Sequence, residues 1–175
     1  GQAKFLRAFY YFQLVRCFGG VPLQLTEVTD ASNAFPGPKV PVEQVYEAII
    51  ADITEAIEKL PSVTFPQNGR ANKGAAKMLY AYVLMTKPNP DQGAAETQLK
   101  DILTMGYDLL PDYKDVFEPG NKYSKEHIFS VQHFNSGGDW SNGNVATEIP
   151  MAMNPRQMRE RNNMWGYGWA YVYEA

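Results

Sequence analysis

His127 and His133 are the two histidines of the chain, and both fall on one face of Ile128-Phe129-Ser130-Val131-Gln132 if that stretch is extended. Six residues at about 3.3 Å each put them roughly 20 Å apart, too far to share a metal ion. The single cysteine, Cys17, supplies neither a metal quartet nor an internal disulfide. It is expected as a small buried residue on a helix. No metal or cofactor is therefore expected. Asp112, Asp115 and Glu118 have the side chains of glycoside hydrolysis, which needs two carboxyls held across a cleft. Their spacing puts them on one short helical turn instead, and solvated surface charge is the expectation. The patterns H-E-x-x-H, G-x-S-x-G, G-x-G-x-x-G and G-x-x-x-x-G-K-[ST] are missing. Gly69–Gly74 places Lys73 before the glycine rather than after it, so it is no phosphate loop. In Asn135–Asn144, Asp139, Ser141 and Gly143 do not follow the spacing of a calcium loop.

Chemistry of recognition is better represented. The chain carries 11 Tyr, 9 Phe and 3 Trp, 13% aromatic in all. Sugars present C–H faces that stack on such rings, and their hydroxyls bond to Asn, Asp and Gln. Trp140 lies inside the Gly/Asn/Asp-rich loop 135–144, where it cannot easily reach a core. Trp165, Tyr167 and Trp169 are spaced by Gly166 and Gly168, and for them stacking on a ligand and packing in a core are both open. These four are the candidate ligand-binding residues. Arg156, Arg159 and Arg161 could instead hold carboxylates, which suits peptides or acidic glycans. A net charge of -3 provides no basic field for nucleic acid or anionic lipid.

The elements that would position these residues are mostly helical. Residues 2–18 carry Phe5, Leu6, Phe9, Phe12, Leu14, Val15 and Phe18 near helical spacing, and Gly19-Gly20 stops them. Residues 41–60 form the clearest helix, with Pro41 suited to the first helical position. Its Val45, Ile49, Ile53 and Ile57 stripe is expected to pack on helix 73–86, and its opposite face, Glu43, Glu47, Asp52, Glu55 and Glu58, to be solvated. Asn72 suits the cap of helix 73–86. A further helix at about 91–105 would end with Gly106 just past its last turn. Beyond it, Tyr113–Phe117 reads as a short helix and residues 128–134 as a strand. Three helices with short breaks look like helix-turn-helix repeats near tetratricopeptide size, and one unit alone cannot bury its face. Composition, 45% hydrophobic and 20% charged, is that of a folded chain. No stretch approaches the roughly 20 apolar residues that span a bilayer. The chain starts within a helix and stops without a terminating signal, so it reads as an interior piece of a longer exported protein.

The segment Ala3-Lys4-Phe5-Leu6-Arg7-Ala8-Phe9-Tyr10-Tyr11-Phe12-Gln13-Leu14-Val15-Arg16-Cys17-Phe18-Gly19-Gly20-Val21-Pro22-Leu23 resembles the helix-and-exit signature of the SusD/RagB family, the nutrient-binding outer-membrane lipoproteins of Bacteroidetes. Pro41-Val42-Glu43-Gln44-Val45-Tyr46 through Leu60-Pro61 is similar to that family's acidic helix. Gly69-Arg70-Ala71-Asn72-Lys73-Gly74-Ala75-Ala76, Gly106-Tyr107-Asp108-Leu109 and Glu126-His127-Ile128-Phe129-Ser130-Val131 follow in the family's order. Gly20 departs from it, since Asp is common there. The resemblance covers residues 1–134 and implies a mainly α fold, a tetratricopeptide-like helical superhelix. Residues 135–175 would add an irregular, partly β, aromatic-rich lobe of the same domain. It also implies a non-catalytic surface glycan-binding lipoprotein that delivers oligosaccharide to a SusC-like TonB-dependent transporter. The membrane would then be reached through a lipid anchor outside this chain. Oligopeptide capture within the same family, or an intracellular tetratricopeptide scaffold, are the alternatives.

Overall fold

The computed structural model describes residues 1–31, 34 and 37–132, and Gly1–Ser130 form one compact unit. Four helices follow in order, α1 (Gln2–Phe18), α2 (Val42–Lys59), α3 (Lys73–Thr86) and α4 (Gln92–Leu103), and two short 3-10 turns come after them, Tyr113–Phe117 and Pro119–Asn121. Each helix packs against the next in the chain, with a lesser contact between α1 and α3. This is the mainly helical repeat architecture expected.

Helix ends follow local chemistry. Gly19 sits at φ 69°, a left-handed conformation that costs glycine little, and its amide caps α1 on the Val15 carbonyl at 2.9 Å. Gly20 is needed for a different reason: a Cβ there would lie 2.2 Å from the Val40 carbonyl oxygen. The Val40 amide bonds the Val21 carbonyl at 3.1 Å, so the two segments are held at that close approach. The Asp common at this position in the family would not fit here. Pro41 precedes α2 as its cap rather than occupying the first helical position. Asn72 caps α3 by accepting from the Ala75 amide at 2.9 Å, and Asp91 caps α4 through the Ala94 amide at 2.9 Å. The end of α4 tightens through Thr104 and Met105 amides bonded to Asp101 and Ile102 carbonyls. Gly106, at φ 85°, therefore comes one residue later than expected.

The core joins α1, α2 and α3 through Phe5, Ala8 and Phe12, Val45, Ile49 and Ile53, and Ala75, Ala76 and Leu79. The α2 stripe packs on α3, as expected, and also on α1. A second, smaller cluster of Ala81, Leu84 and Ala95 joins α3 to α4. Small residues at these positions let the helix backbones approach closely. Among the α1 residues read as one stripe, Leu6, Leu14 and Phe18 face outwards, Phe18 with 71% of its surface exposed. Cys17 is exposed too, against the expectation of burial.

No strand forms among the described residues, so the part of the expected strand that is described, residues 128–132, is not one. Ring packing holds it instead: Phe129 meets Phe5 edge-on at 5.1 Å and Phe9 at 6.2 Å. No described helix is long and apolar enough to cross a membrane.

Candidate functional site

Ligand-binding residues expected from the sequence, Trp140, Trp165, Tyr167 and Trp169, lie outside the described residues, as do His133, the loop 135–144 and Arg156, Arg159 and Arg161. His127 is half-buried. Asp112, Asp115 and Glu118 sit on or beside the 3-10 turn Tyr113–Phe117, where Asp112 is exposed and lies 3.8 Å from Lys114. Among the described residues no group of three His, Cys, Asp or Glu side chains could hold a metal ion.

Hydrogen bonds from the loop before α3 organise the surface that remains. Gln67 donates to the carbonyls of Ser124, at 3.3 Å, and of His127, and accepts from the Asn72 side chain at 3.1 Å. The Tyr107 hydroxyl donates to the Asn72 side-chain oxygen at 3.2 Å. Burial raises the Tyr107 pKa, partly offset by that bond to Asn72. Tyr107 lies so close over α3 that a Cβ on Gly74 would sit 2.2 Å from its hydroxyl oxygen. Lys125 pairs with Asp108 at 2.9 Å, and the Glu126 carboxylate accepts from the Leu110 amide at 2.7 Å. This mesh ties residues 107–110 and 123–127 to the head of α3.

Recesses open beside this mesh among the described residues. A polar one of about 220 Å³, lined by Gln2, Ser62, Thr64, Asn68 and Arg70, lies beside the loop before α3. Two more apolar ones, of about 410 and 350 Å³, lie along α3 and share Met78, Glu126 and Ile128. Phe9, Tyr82, His127 and Phe129 line the larger, and Leu99, Leu103 and Leu109 the smaller. Sequence reading did not single out Asn68, Arg70 or Tyr82 for these recesses. Only the return of residues 123–129 to α3 assembles the apolar pair, and no local pattern announces that. The chemistry available is hydrogen bonding and apolar contact, which is the chemistry of binding.

The electrostatic centre lies elsewhere, between α1 and α2. Asp52, with a side chain only 5% exposed, accepts from Arg7 Nε at 2.6 Å, Arg7 Nη2 at 2.8 Å and Lys4 at 3.0 Å. Arg7 also donates to the Leu25 carbonyl at 2.6 Å, and Lys4 reaches Glu55 at 2.9 Å. The expected solvated face of α2 is therefore divided. Glu43, Glu47 and Glu58 are exposed, whereas Asp52 is buried because α1 places two cations over it. Burial pushes the Asp52 carboxyl up, but the bonds from Arg7 and Lys4 outweigh that and hold it below the ordinary range. Glu55 is lowered to about 2, first by its hydrogen bond from Lys59 and then by that from Lys4. Lys4 is raised by the same two carboxylates, Glu55 first.

Acid should expose this arrangement. Both carboxyls have lowered folded values, so in acid the unfolded state binds more protons and stability must fall with pH. The contribution is complete above roughly pH 5 and is lost as pH drops through the folded values, towards about 2 for Glu55. Melting temperatures recorded between about pH 6 and pH 2 should decline across that window. A flat profile would show that the cluster does not couple to folding.

Residues 1–85 match a SusD-like family described as "Starch-binding associating with outer membrane". A SusD-like protein P2 of Formosa agariphila is 35% identical over 135 residues, which is 75% of this chain and 26% of the relative. A SusD-like protein of Bacteroides ovatus is 28% identical over 144 residues, 75% of this chain and 25% of the relative. The chain thus spans about a quarter of the length of the curated relatives it matches. Among solved structures, a laminarin-binding SusD-like protein aligns with a TM-score of 0.74 and 32% identity, over 86% of this chain and 35% of that one. Surface glycan-binding protein A of Bacteroides thetaiotaomicron, in complex with laminarihexaose, aligns with a TM-score of 0.70 and 26% identity, over 95% of this chain and 36% of that one. By sequence match and by fold, this is a SusD-like chain.

Proposed function

We propose that this chain is the helical scaffold of a surface glycan-binding lipoprotein that passes oligosaccharide to a SusC-like TonB-dependent transporter and does no chemistry on it. The observation that carries the reading is the joint match to a starch-binding, outer-membrane-associated family and to solved glycan-binding relatives. The described residues fit it: they offer polar and apolar recesses. Trp140, Trp165, Tyr167 and Trp169 remain the proposed sugar-stacking residues, and the exposed acids of α2 (Glu43, Glu47, Glu58) are proposed to face the transporter or solvent rather than ligand.

The test is a calorimetric binding screen of the full-length protein against polysaccharides, a laminarin-type β-glucan among them, and against peptides. Binding to a glycan, with no shortened product on chromatography, is expected. Binding to peptides alone would replace this reading with oligopeptide capture, and product release would make the protein a hydrolase. With the ligand in hand, Trp140→Ala should weaken binding by roughly 1–3 kcal/mol while the melting temperature holds. A lowered melting temperature with unchanged affinity per folded molecule would make Trp140 a packing residue and move the site to Trp165 and Trp169.

A further inference from the structure

Asn68 and Gly69 lie in the loop before α3, and the fold leaves the peptide between them open to one reaction. Asn68 is exposed, and its side-chain nitrogen donates to no group among the described residues. Gly69 holds φ 73°, a left-handed conformation in which a side chain is strained, so the loop needs glycine here. With no Cβ beside it, the Gly69 nitrogen can be approached from the Asn68 side chain, and its N–H donates to no described group either. The Arg70 amide donates to Asn68 Oδ1 at 3.0 Å. That bond folds the side chain back towards the main chain. It also puts a donor on the oxygen that gathers negative charge when the side-chain carbon is attacked. Asn72 and Asn121, each followed by lysine, are held differently. Asn72 is buried, donates to Gln67 and accepts from Ala75 and Tyr107. Asn121 donates to the Asp115 carbonyl at 2.9 Å.

We propose that Asn68 is a self-modification site, deamidated by the backbone of its own loop. The Gly69 nitrogen, its proton taken by hydroxide, attacks Asn68 Cγ. A C–N bond forms, the Cγ–Nδ2 bond breaks, and ammonia leaves behind a cyclic succinimide. Water then opens the ring at either carbonyl, giving aspartate or, with the chain routed through the former side chain, isoaspartate. An amide and a water become a carboxylic acid and ammonia, with no oxidant or reductant. The acid ionises at neutral pH. A carboxylate therefore enters the polar recess that Asn68 lines beside Arg70, where no acid stands among the described lining residues. Isoaspartate also lengthens the main chain next to Gln67, whose side chain ties the loop to Ser124, His127 and Asn72. The reaction needs only water, so it stands whatever the protein binds.

Incubation of the folded full-length protein in mildly alkaline buffer, followed by peptide mapping with mass spectrometry, reads the reaction. The peptide holding Asn68 should convert to its acid forms on the order of 10-fold faster than those holding Asn72 and Asn121, whose amides react only after local opening. The rate should rise in proportion to hydroxide, and an isoaspartyl methyltransferase should label the same peptide. Asn142-Gly143, the same pair outside the described residues, falls in a separate peptide and is read by itself. Conversion of Asn68 no faster than that of Asn72 would overturn the proposal. Conversion to aspartate without any isoaspartate would overturn it too, because the side chain would then have been hydrolysed directly and not by way of Gly69.

Discussion

An Asp52→Lys protein should fail to fold cooperatively. Asp52 is 3% exposed and accepts three hydrogen bonds from Arg7 and Lys4 of α1. Removing one partner of a buried ion pair costs about 3–5 kcal/mol because the other charge is left uncompensated. Reversal adds repulsion, since it brings a third cation against Lys4 and Arg7. A domain of this size has about 5–15 kcal/mol to lose. Arg7 would also lose the anchor that sets its bond to the Leu25 carbonyl, so the segment after α1 should loosen too. Urea denaturation followed by circular dichroism measures the effect. The control is Glu47→Lys, a reversal on the exposed side of the same helix, which should stay within about 0.5 kcal/mol of the parent. Equal stability of the two variants would show that Asp52 is not the tie between α1 and α2.

Ile53→Asp, one residue along, tests the core rather than the ion cluster. Ile53 is 0% exposed and sits among side chains of all three packed helices. The cluster it belongs to is apolar, so a carboxylate there would be buried among hydrophobic side chains or would drag the helix open, at a cost of several kcal/mol. Ile53→Val, which removes one methylene, should cost only about 0.5–1.5 kcal/mol. Thermal melting of both variants separates the two effects: a sharp, slightly lowered transition is expected for Val and none for Asp. A soluble Ile53→Asp protein with a cooperative melt would mean that α2 does not use this stripe to pack, and the repeat assignment would fall.

Much of the helical scaffold is legible in the sequence because the information is local. The α2 stripe repeats at the helical period, Asn72 stands three residues before the amide it caps, and Gly19 stands where α1 must end. Helix α3 has the bounds its pattern announces, Lys73–Thr86. The later segment was less legible, since Ile128-Phe129-Ser130-Val131 has the composition of a strand but finds its contacts in the Phe5 and Phe9 rings. Both apolar recesses also depend on that return of residues 123–129 to α3.

By itself the sequence determined where the helices lie, which stripe of α2 is apolar, and the family, through motifs that keep their order along the chain. Tertiary structure decided which of several similar residues is buried. Asp52 and Glu47 are alike in any reading of α2, and Arg7 and Lys4, 45 and 48 positions away, make the first a buried anchor while the second stays in water. Phe12 and Phe18 are alike in α1, yet one is 3% and the other 71% exposed. Gly20 and Gly74 are unremarkable until the Val40 carbonyl and the Tyr107 ring take the space of a side chain. The reason is the same in each case: a residue's type and its period follow from its neighbours in the chain, while burial, pairing and exclusion of a Cβ are set by groups tens of residues distant.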